Sequence, residues 1–326
     1  PDGSLARDSA GRLIPVTTNA AERARLQYRL LGSSRKTDYD GFYPSFNSSF
    51  DVTPNLVARA AYARTIGRPN LNLIIPNTTI ADPDAAESGR TITVSNGNLA
   101  PWTADNYDLT LEAYYVKGAV ASVSLFRKDI RDFHAASRAD ATPQLLEEFG
   151  LPDEFLDYDI VTQRNAGSAS LSGFELGYRQ SLTFLPAWGR GLQIFGNLTC
   201  LDLSGADAAN FAEFSPRNLN WGVSYARPRF LAKFNVAQTK WVRRSSVNAS
   251  ATVLPNSYQY RAPQTRLGIS AEYRFSKRVT VYASVKNLLG TPVRNQIYSP
   301  GLPGFARPSN YQYVPAEYTF GVKGEF

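Results

Sequence analysis

The sequence predicts an all-β chain, a transmembrane antiparallel up-and-down β-barrel with long loops at one end and short turns at the other. Three observations predict it. Apolar residues recur at every second position through about eleven segments, the period of a strand with one greasy face and one polar face. Tight turns and long polar loops alternate along the chain, as they do in bacterial outer-membrane barrels. The last stretch, Tyr313 to Phe326, puts Tyr318, Phe320, Val322 and Gly324 on one face and Glu317, Thr319, Gly321, Lys323 and Glu325 on the other. It ends on an aromatic residue, which suits a closing strand with a lipid-facing row.

Composition fits this class and excludes others. The chain has 326 residues, 43% of them hydrophobic, yet no run approaches the roughly 18–20 apolar residues that a spanning helix needs. The 18 Tyr and 18 Phe suit strands and interfacial girdles. The single cysteine, Cys200, forbids an intrachain disulfide. The single histidine, His134, excludes a multi-histidine metal site and leaves no nucleophile, base and acid set to assemble, so no enzyme is expected. The net charge of +7 is spread over strand positions and loop ends, which argues against nucleic acid. The chain lacks Met and opens on Pro1-Asp2-Gly3. It is therefore expected to be a piece of a longer protein, and the missing export signal carries no information.

Taken in order, Phe42, Pro44, Phe46, Ser48 and Phe50 form one face of the first strand. A Thr-Pro-Asn turn leads to the second, from about Leu56 to Arg64. A long loop then runs from Gly67-Arg68-Pro69-Asn70 to about Asp105. Tyr107, Leu109, Leu111, Ala113 and Tyr115 mark the third strand; Ala119, Ala121, Val123 and Leu125 mark the fourth, across a tight turn at Lys117-Gly118. The segment from about His134 to Gly167 reads as an acidic loop with a helical turn from Gln144 to Phe149. Strands follow on Phe174, Leu176 and Tyr178, on Leu192 to Cys200, on Trp221, Val223 and Tyr225, and on Phe230 to Val236. A loop from about Arg243 to Ala262 precedes Leu267, Ile269, Ala271, Tyr273 and Phe275; a minimal turn at Ser276-Lys277-Arg278 precedes Val279 to Val285. The last loop, about Gly290 to Gln312, leads to the closing strand.

About eleven strands of roughly 10–13 residues result, the length of a tilted spanning strand. A soluble sandwich would have shorter strands and no alternation of loop length by side of the sheet. Lys286, Glu272, Arg266, Arg179 and Lys233 fall on the second face, where a wet lumen accommodates charge and a packed core does not. The alternation makes the last strand a descending one, ending in the periplasm.

Several segments resemble a known family. Pro44-Ser45-Phe46-Asn47, Ala60-Ala61-Tyr62-Ala63-Arg64-Thr65-Ile66 and Gly67-Arg68-Pro69-Asn70 are similar to the mid-barrel region of TonB-dependent outer-membrane receptors. So are Gly97-Asn98-Leu99-Ala100-Pro101-Trp102 with Asn106 to Glu112, Leu125 to Ile130, Gly173 to Leu176, Val285 to Leu289, and the terminal Phe326. The resemblance implies a 22-stranded barrel filled by an amino-terminal plug, of which this chain is the carboxyl-terminal half, without plug or TonB box. Residues 1–39 are then an extracellular loop and residues 40–326 the strands and loops. The implied function is TonB-energised uptake across the outer membrane of a ferric siderophore, cobalamin, haem or an oligosaccharide. The implied partners are the TonB-ExbB-ExbD complex through the missing part, the barrel assembly machinery, and outer-membrane lipid and lipopolysaccharide. No cofactor is expected. A passive porin-like channel is the rival reading, and a soluble carbohydrate-binding β-domain a third.

Arg64, Arg68, Trp102, Tyr298, Phe305, Tyr311 and Tyr313 are the expected ligand-binding residues, since they lie near long-loop ends of strands, where aromatics and Arg stack on and pair with a ligand. The plainer reading of each is interfacial anchoring. Tyr318, Phe320, Val322 and Phe326 are expected to form the carboxyl-terminal signal read by the assembly machinery. His134 reads as a solvated loop residue and Cys200 as a small residue on the lipid-facing row. Glu147, Glu148, Asp153, Glu154, Asp157 and Asp159 read as a solvated acidic loop without calcium-loop spacing.

Overall fold

The computed structural model describes residues 6–19, 21–22, 25–26, 29, 38–84, 89–205, 213–247, 254 and 257–324, with backbone alone at 166 and 246. The strands are β1 (Ser45–Thr53), β2 (Leu56–Gly67), β3 (Thr78–Ile80), β4 (Thr91–Val94), β5 (Trp102–Ala113), β6 (Ala119–Asp140), β7 (Asp159–Ser181), β8 (Leu192–Ser204) and β9 (Arg217–Arg227). They continue as β10 (Phe230–Thr239), β11 (Val242–Val247), β12 (Ser257–Arg261), β13 (Gln264–Arg274), β14 (Val279–Lys286), β15 (Val293–Tyr298), β16 (Pro308–Gln312) and β17 (Glu317–Gly324). The main sheet runs β1-β2-β5-β6-β7-β8-β9-β10-β13-β14-β17, which are the eleven strands that the period of two marks. Among the described residues β1 pairs only with β2, and β17 only with β14, so the sheet has two edges.

The alternation of connections holds. Turns at residues 54–55, 114–118, 182–191, 228–229 and 275–278 alternate with longer connections at 68–101, 141–158, 205–216, 240–263 and 287–316. Several expected loops nevertheless contain structure. β6 extends to Asp140 and β7 starts at Asp159, well beyond the apolar repeat that marks them. The connection 68–101 holds β3, β4 and the helix α1 (Leu71–Ile74). The last two long connections hold β11, β12, β15 and β16, which form a second sheet in that order. The closing strand is shorter than expected at its start, and Glu325 and Phe326 lie outside the described residues.

Two compact units divide the chain. The first comprises Pro1–Tyr43, Thr65–Thr103 and Ile130–Ser168. Its centre is a small core of Ile92, Val94, Ala141, Leu146, Leu151, Tyr158 and Ile160, with Ile92 and Leu146 fully buried. The helix α2 (Pro143–Phe149) covers it. Thr142 caps that helix by accepting from the Leu145 amide at 3.2 Å, Pro143 occupies the first turn, and Gly150 ends it at φ 67°. The helical turn expected at Gln144–Phe149 is thus present. β4 adds to β7 in parallel, Ile92 opposite Ile160, which a register read from neighbouring segments does not reveal. Ion pairs rim this core: Arg7 with Asp82 and Asp84, Arg90 with Asp157, Arg138 with Asp159 at 2.6 Å, and Arg164 with Glu148 at 3.3 Å. Glu148, Asp157 and Asp159 are therefore paired with arginines and not simply solvated, which corrects the reading of the acidic segment. His134 also departs from expectation: it sits within β6, its Nε2 2.7 Å from the Ala100 carbonyl oxygen.

The second unit comprises Pro44–Arg64, Ala104–Asp129 and Ala169–Phe326. Directly opposed residues share a face, so the registers define two rows. Tyr318, Phe320 and Val322 oppose Val285, Ala283 and Val281 on the apolar face. On the other face Lys286 pairs with Glu317 and Lys323 with Glu272, both at 3.0 Å, and Arg59 with Glu112 at 3.3 Å. These pairs are exposed, so each contributes at most about 1 kcal/mol; their larger effect is to keep charge on one side. Cys200 opposes Phe174 on the apolar face, as its reading as a small packing residue requires.

Candidate ligand-binding site

The second sheet, wholly within the second unit, builds a hollow of about 340 Å³ lined by Trp241, Tyr260, Gln296, Ile297, Tyr298 and Arg307. Its side chains gather because of register. Tyr258 opposes Tyr298 and Tyr260 opposes Gln296, so the three tyrosines project to one face. Tyr260 and Tyr298 meet edge to face, ring centroids 6.3 Å apart. The Arg307 guanidinium stands over the Tyr298 ring at 5.5 Å, and that of Arg243 over Tyr258 at 5.4 Å. Arg307 is held from two sides: the Ile297 amide of β15 donates to its backbone carbonyl at 2.8 Å, and its Nε donates to the Leu302 carbonyl at 3.3 Å.

Polar ties fix the sheet behind the hollow. The Ser257 hydroxyl donates to the Leu254 carbonyl at 2.5 Å, and the Leu254 amide to Ser299 Oγ at 3.1 Å. Arg244 donates to the Glu213 carboxylate at 2.5 Å, and Arg261 lies 3.2 Å from its other oxygen. The Arg244 hydrogen bond, reinforced by the two guanidinium charges, holds the Glu213 carboxyl below the usual carboxylate range. Aromatic faces beside a fixed guanidinium suit a planar or ring-bearing ligand that carries negative charge.

Of the expected ligand residues, Tyr298 alone lines this hollow. Phe305 stands on the short 3-10 turn Gly304–Ala306 and is 88% exposed. Tyr311 lies on β16, and Tyr313 follows it; both are exposed. Arg64 lies in β2, half-buried. Arg68 follows the end of that strand, exposed. Trp102, at the start of β5, packs on Gly67, where a Cβ would fall 2.0 Å from the indole. That contact gives Trp102 a packing role within its own unit. Sequence reading missed Trp241, Tyr260, Gln296, Ile297 and Arg307. The alternation in Tyr258-Gln259-Tyr260 and Ile297 flanked by Gln296 and Tyr298 were the available signals, short enough to pass as loop.

A family model described as "TonB dependent receptor-like, beta-barrel" matches residues 16–288. The chain belongs to that family. Its members are outer-membrane transporters and not enzymes, so the apolar row faces lipid, the charged row faces the lumen, and the long loops are extracellular. The fold is shared with solved receptor barrels. A variant of the ferric enterobactin receptor of Pseudomonas aeruginosa in complex with enterobactin superposes with a TM-score of 0.64 at 20% identity, covering 87% of this chain and 40% of that one. The siderophore receptor PirA of the same organism gives 0.53 at 22%, covering 87% and 42%. The copper transporter OprC gives 0.56 at 16%, covering 86% and 38%. The chain thus spans about two fifths of the length of these receptors. No curated protein sequence matches it.

Proposed function

We propose that the full-length protein takes up a scarce ligand across the outer membrane by TonB-energised transport, and that the loop-sheet hollow is part of its extracellular capture site. Membership of the family over residues 16–288 supports the transport reading, and the Arg307–Tyr298–Tyr260 cluster supports the capture site. A ferric siderophore is the favoured cargo. The cluster offers rings and a guanidinium to an anionic aryl chelate, and the receptors named above for enterobactin and siderophores share the fold. Cobalamin, haem and oligosaccharides are the competing cargoes. Energy would come from the TonB-ExbB-ExbD complex through a plug domain outside this chain.

The remaining expectations belong to the same reading. Residues 1–39 would form an extracellular loop. Arg68 and Trp102 on the first unit, and Arg64, Phe305, Tyr311 and Tyr313 on the second, would be further ligand-binding residues of the receptor. Tyr318, Phe320 and Val322, with Phe326, would be read by the barrel assembly machinery, and the lipid row would contact phospholipid and lipopolysaccharide. The experiment is growth of a deletion strain carrying the full-length gene on single iron, cobalamin, haem or glycan sources. Growth on siderophore-bound iron that disappears when TonB is deleted is expected. Solute entry unaffected by loss of TonB would instead identify a passive channel.

A further inference from the structure

The short-turn end of the second unit carries a second hollow, of about 430 Å³, unlike the first in chemistry. Arg227, Arg229, Arg274, Lys277, Arg278 and Lys323 line it, with Glu272 as the one acidic residue. Two of these cations are already engaged. Arg227 donates to the Tyr225 hydroxyl at 2.9 Å and to the Ala187 carbonyl, and Lys323 pairs with Glu272. Arg229, Arg274, Lys277 and Arg278 have no ion pair among the described residues. The backbone brings them together: the Arg274 amide donates to the Arg229 carbonyl at 2.8 Å, and Lys277 and Arg278 form the adjoining turn. Among the described residues no carboxylate pairs with these four cations, so they repel one another, and an anion in the hollow relieves that repulsion.

We propose that this hollow is a binding site on the periplasmic rim for a phosphoryl group bearing two or more negative charges. Three guanidinium forks and one ammonium match the several acceptor oxygens of a phosphate dianion. A hollow of this size suits a small headgroup better than an extended acidic peptide. The phosphoryl group can be free in the periplasm or belong to an anionic lipid. Phe230 and Glu272 also border a shallow apolar hollow lined by Ala271, Tyr273, Ala283 and Phe320 of the lipid-facing row. A lipid chain resting there would bring its headgroup to the cations around the strand ends, past the turns that hold Arg229, Lys277 and Arg278.

The full-length protein in phosphatidylcholine nanodiscs is titrated with inorganic pyrophosphate at low salt by calorimetry. A parallel arm measures retention of phosphatidylglycerol by native mass spectrometry. Saturable pyrophosphate binding is expected, weakened at least about tenfold in the Arg274→Gln, Arg278→Gln double variant and unchanged in Lys117→Gln, a cation on another short turn. Retention of phosphatidylglycerol without pyrophosphate binding, lost in the same double variant, supports the site and assigns it to lipid. Absence of both, or both unchanged in the double variant, overturns the proposal. A poly-glutamate peptide that binds the same cations more tightly than pyrophosphate also overturns it, in favour of an acidic protein partner. None of these readouts depends on the transported cargo.

Discussion

The Trp102 indole occupies the space above Gly67 so fully that a Cβ on the glycine would lie 2.0 Å from it. The contact joins the end of β2 to the start of β5. Gly67→Ala must push the ring aside, and overpacking of this kind costs about 1–3 kcal/mol. The expected outcome is a lower unfolding midpoint with a red-shifted tryptophan emission. Trp102→Phe should restore room and recover most of the stability of Gly67→Ala.

Arg307 and Tyr298 give the capture site its sharpest test. Arg307→Ala removes the guanidinium from the Tyr298 face, and Tyr298→Ala removes the ring. Each should weaken ligand binding by about 10- to 100-fold in a barrel whose heat-modifiable mobility on gels stays normal. Phe305→Ala, on an exposed turn outside the hollow, should change binding by less. Equal effects at all three positions would argue against a localised site.

A pH effect is expected at Asp82. Arg7 donates to both of its carboxylate oxygens at 2.5 Å, and the hydrogen bonding from that guanidinium lowers the Asp82 pKa from 3.8 to about 2. A depressed folded-state value means that the contribution to stability is complete above about 3.8 and is lost as pH falls through about 2. The Asp82 carboxyl carbon should therefore titrate near 2 by nuclear magnetic resonance. Arg7→Gln should move that midpoint up toward 3.8.

Phe320 and Thr319 are neighbours in sequence with opposite surroundings. Phe320 is on the lipid row of β17, opposite Ala283, while Thr319 opposes Ser284 on the lumenal row. Phe320→Lys should cost about 2–4 kcal/mol near the middle of the bilayer, whereas Thr319→Lys should cost under about 1 kcal/mol. Urea unfolding in lipid vesicles measures both.

The eleven long strands were legible because each satisfies lipid on one face and water on the other, which writes a period of two into the residues themselves. Tyr107-Asp108-Leu109-Thr110-Leu111 shows it plainly. The loop sheet was hard to read because strands such as Ser257–Arg261 are short and carry no lipid row. The small core around Leu146 was harder still. It joins Ile92 to Ile160 in parallel across a long span of chain, and burial of that kind leaves no local period. The capture hollow inherits this difficulty: Tyr298 announced itself as an exposed aromatic, but Arg307 and Tyr260 gained meaning only from register.

The pairing of Lys286 with Glu317 also bears on how the last strand finds its place. If β17 slipped by one residue along β14, every side chain would change face. Glu317 and Lys323 would enter hydrocarbon while Tyr318, Phe320 and Val322 turned to water. Turning a Phe or Val side chain of this row from lipid to water costs about 1.5–3 kcal/mol, more than the exposed ion pair itself supplies. The bilayer thus acts as proofreader of the final strand, rejecting a misaligned ending before any ligand is met.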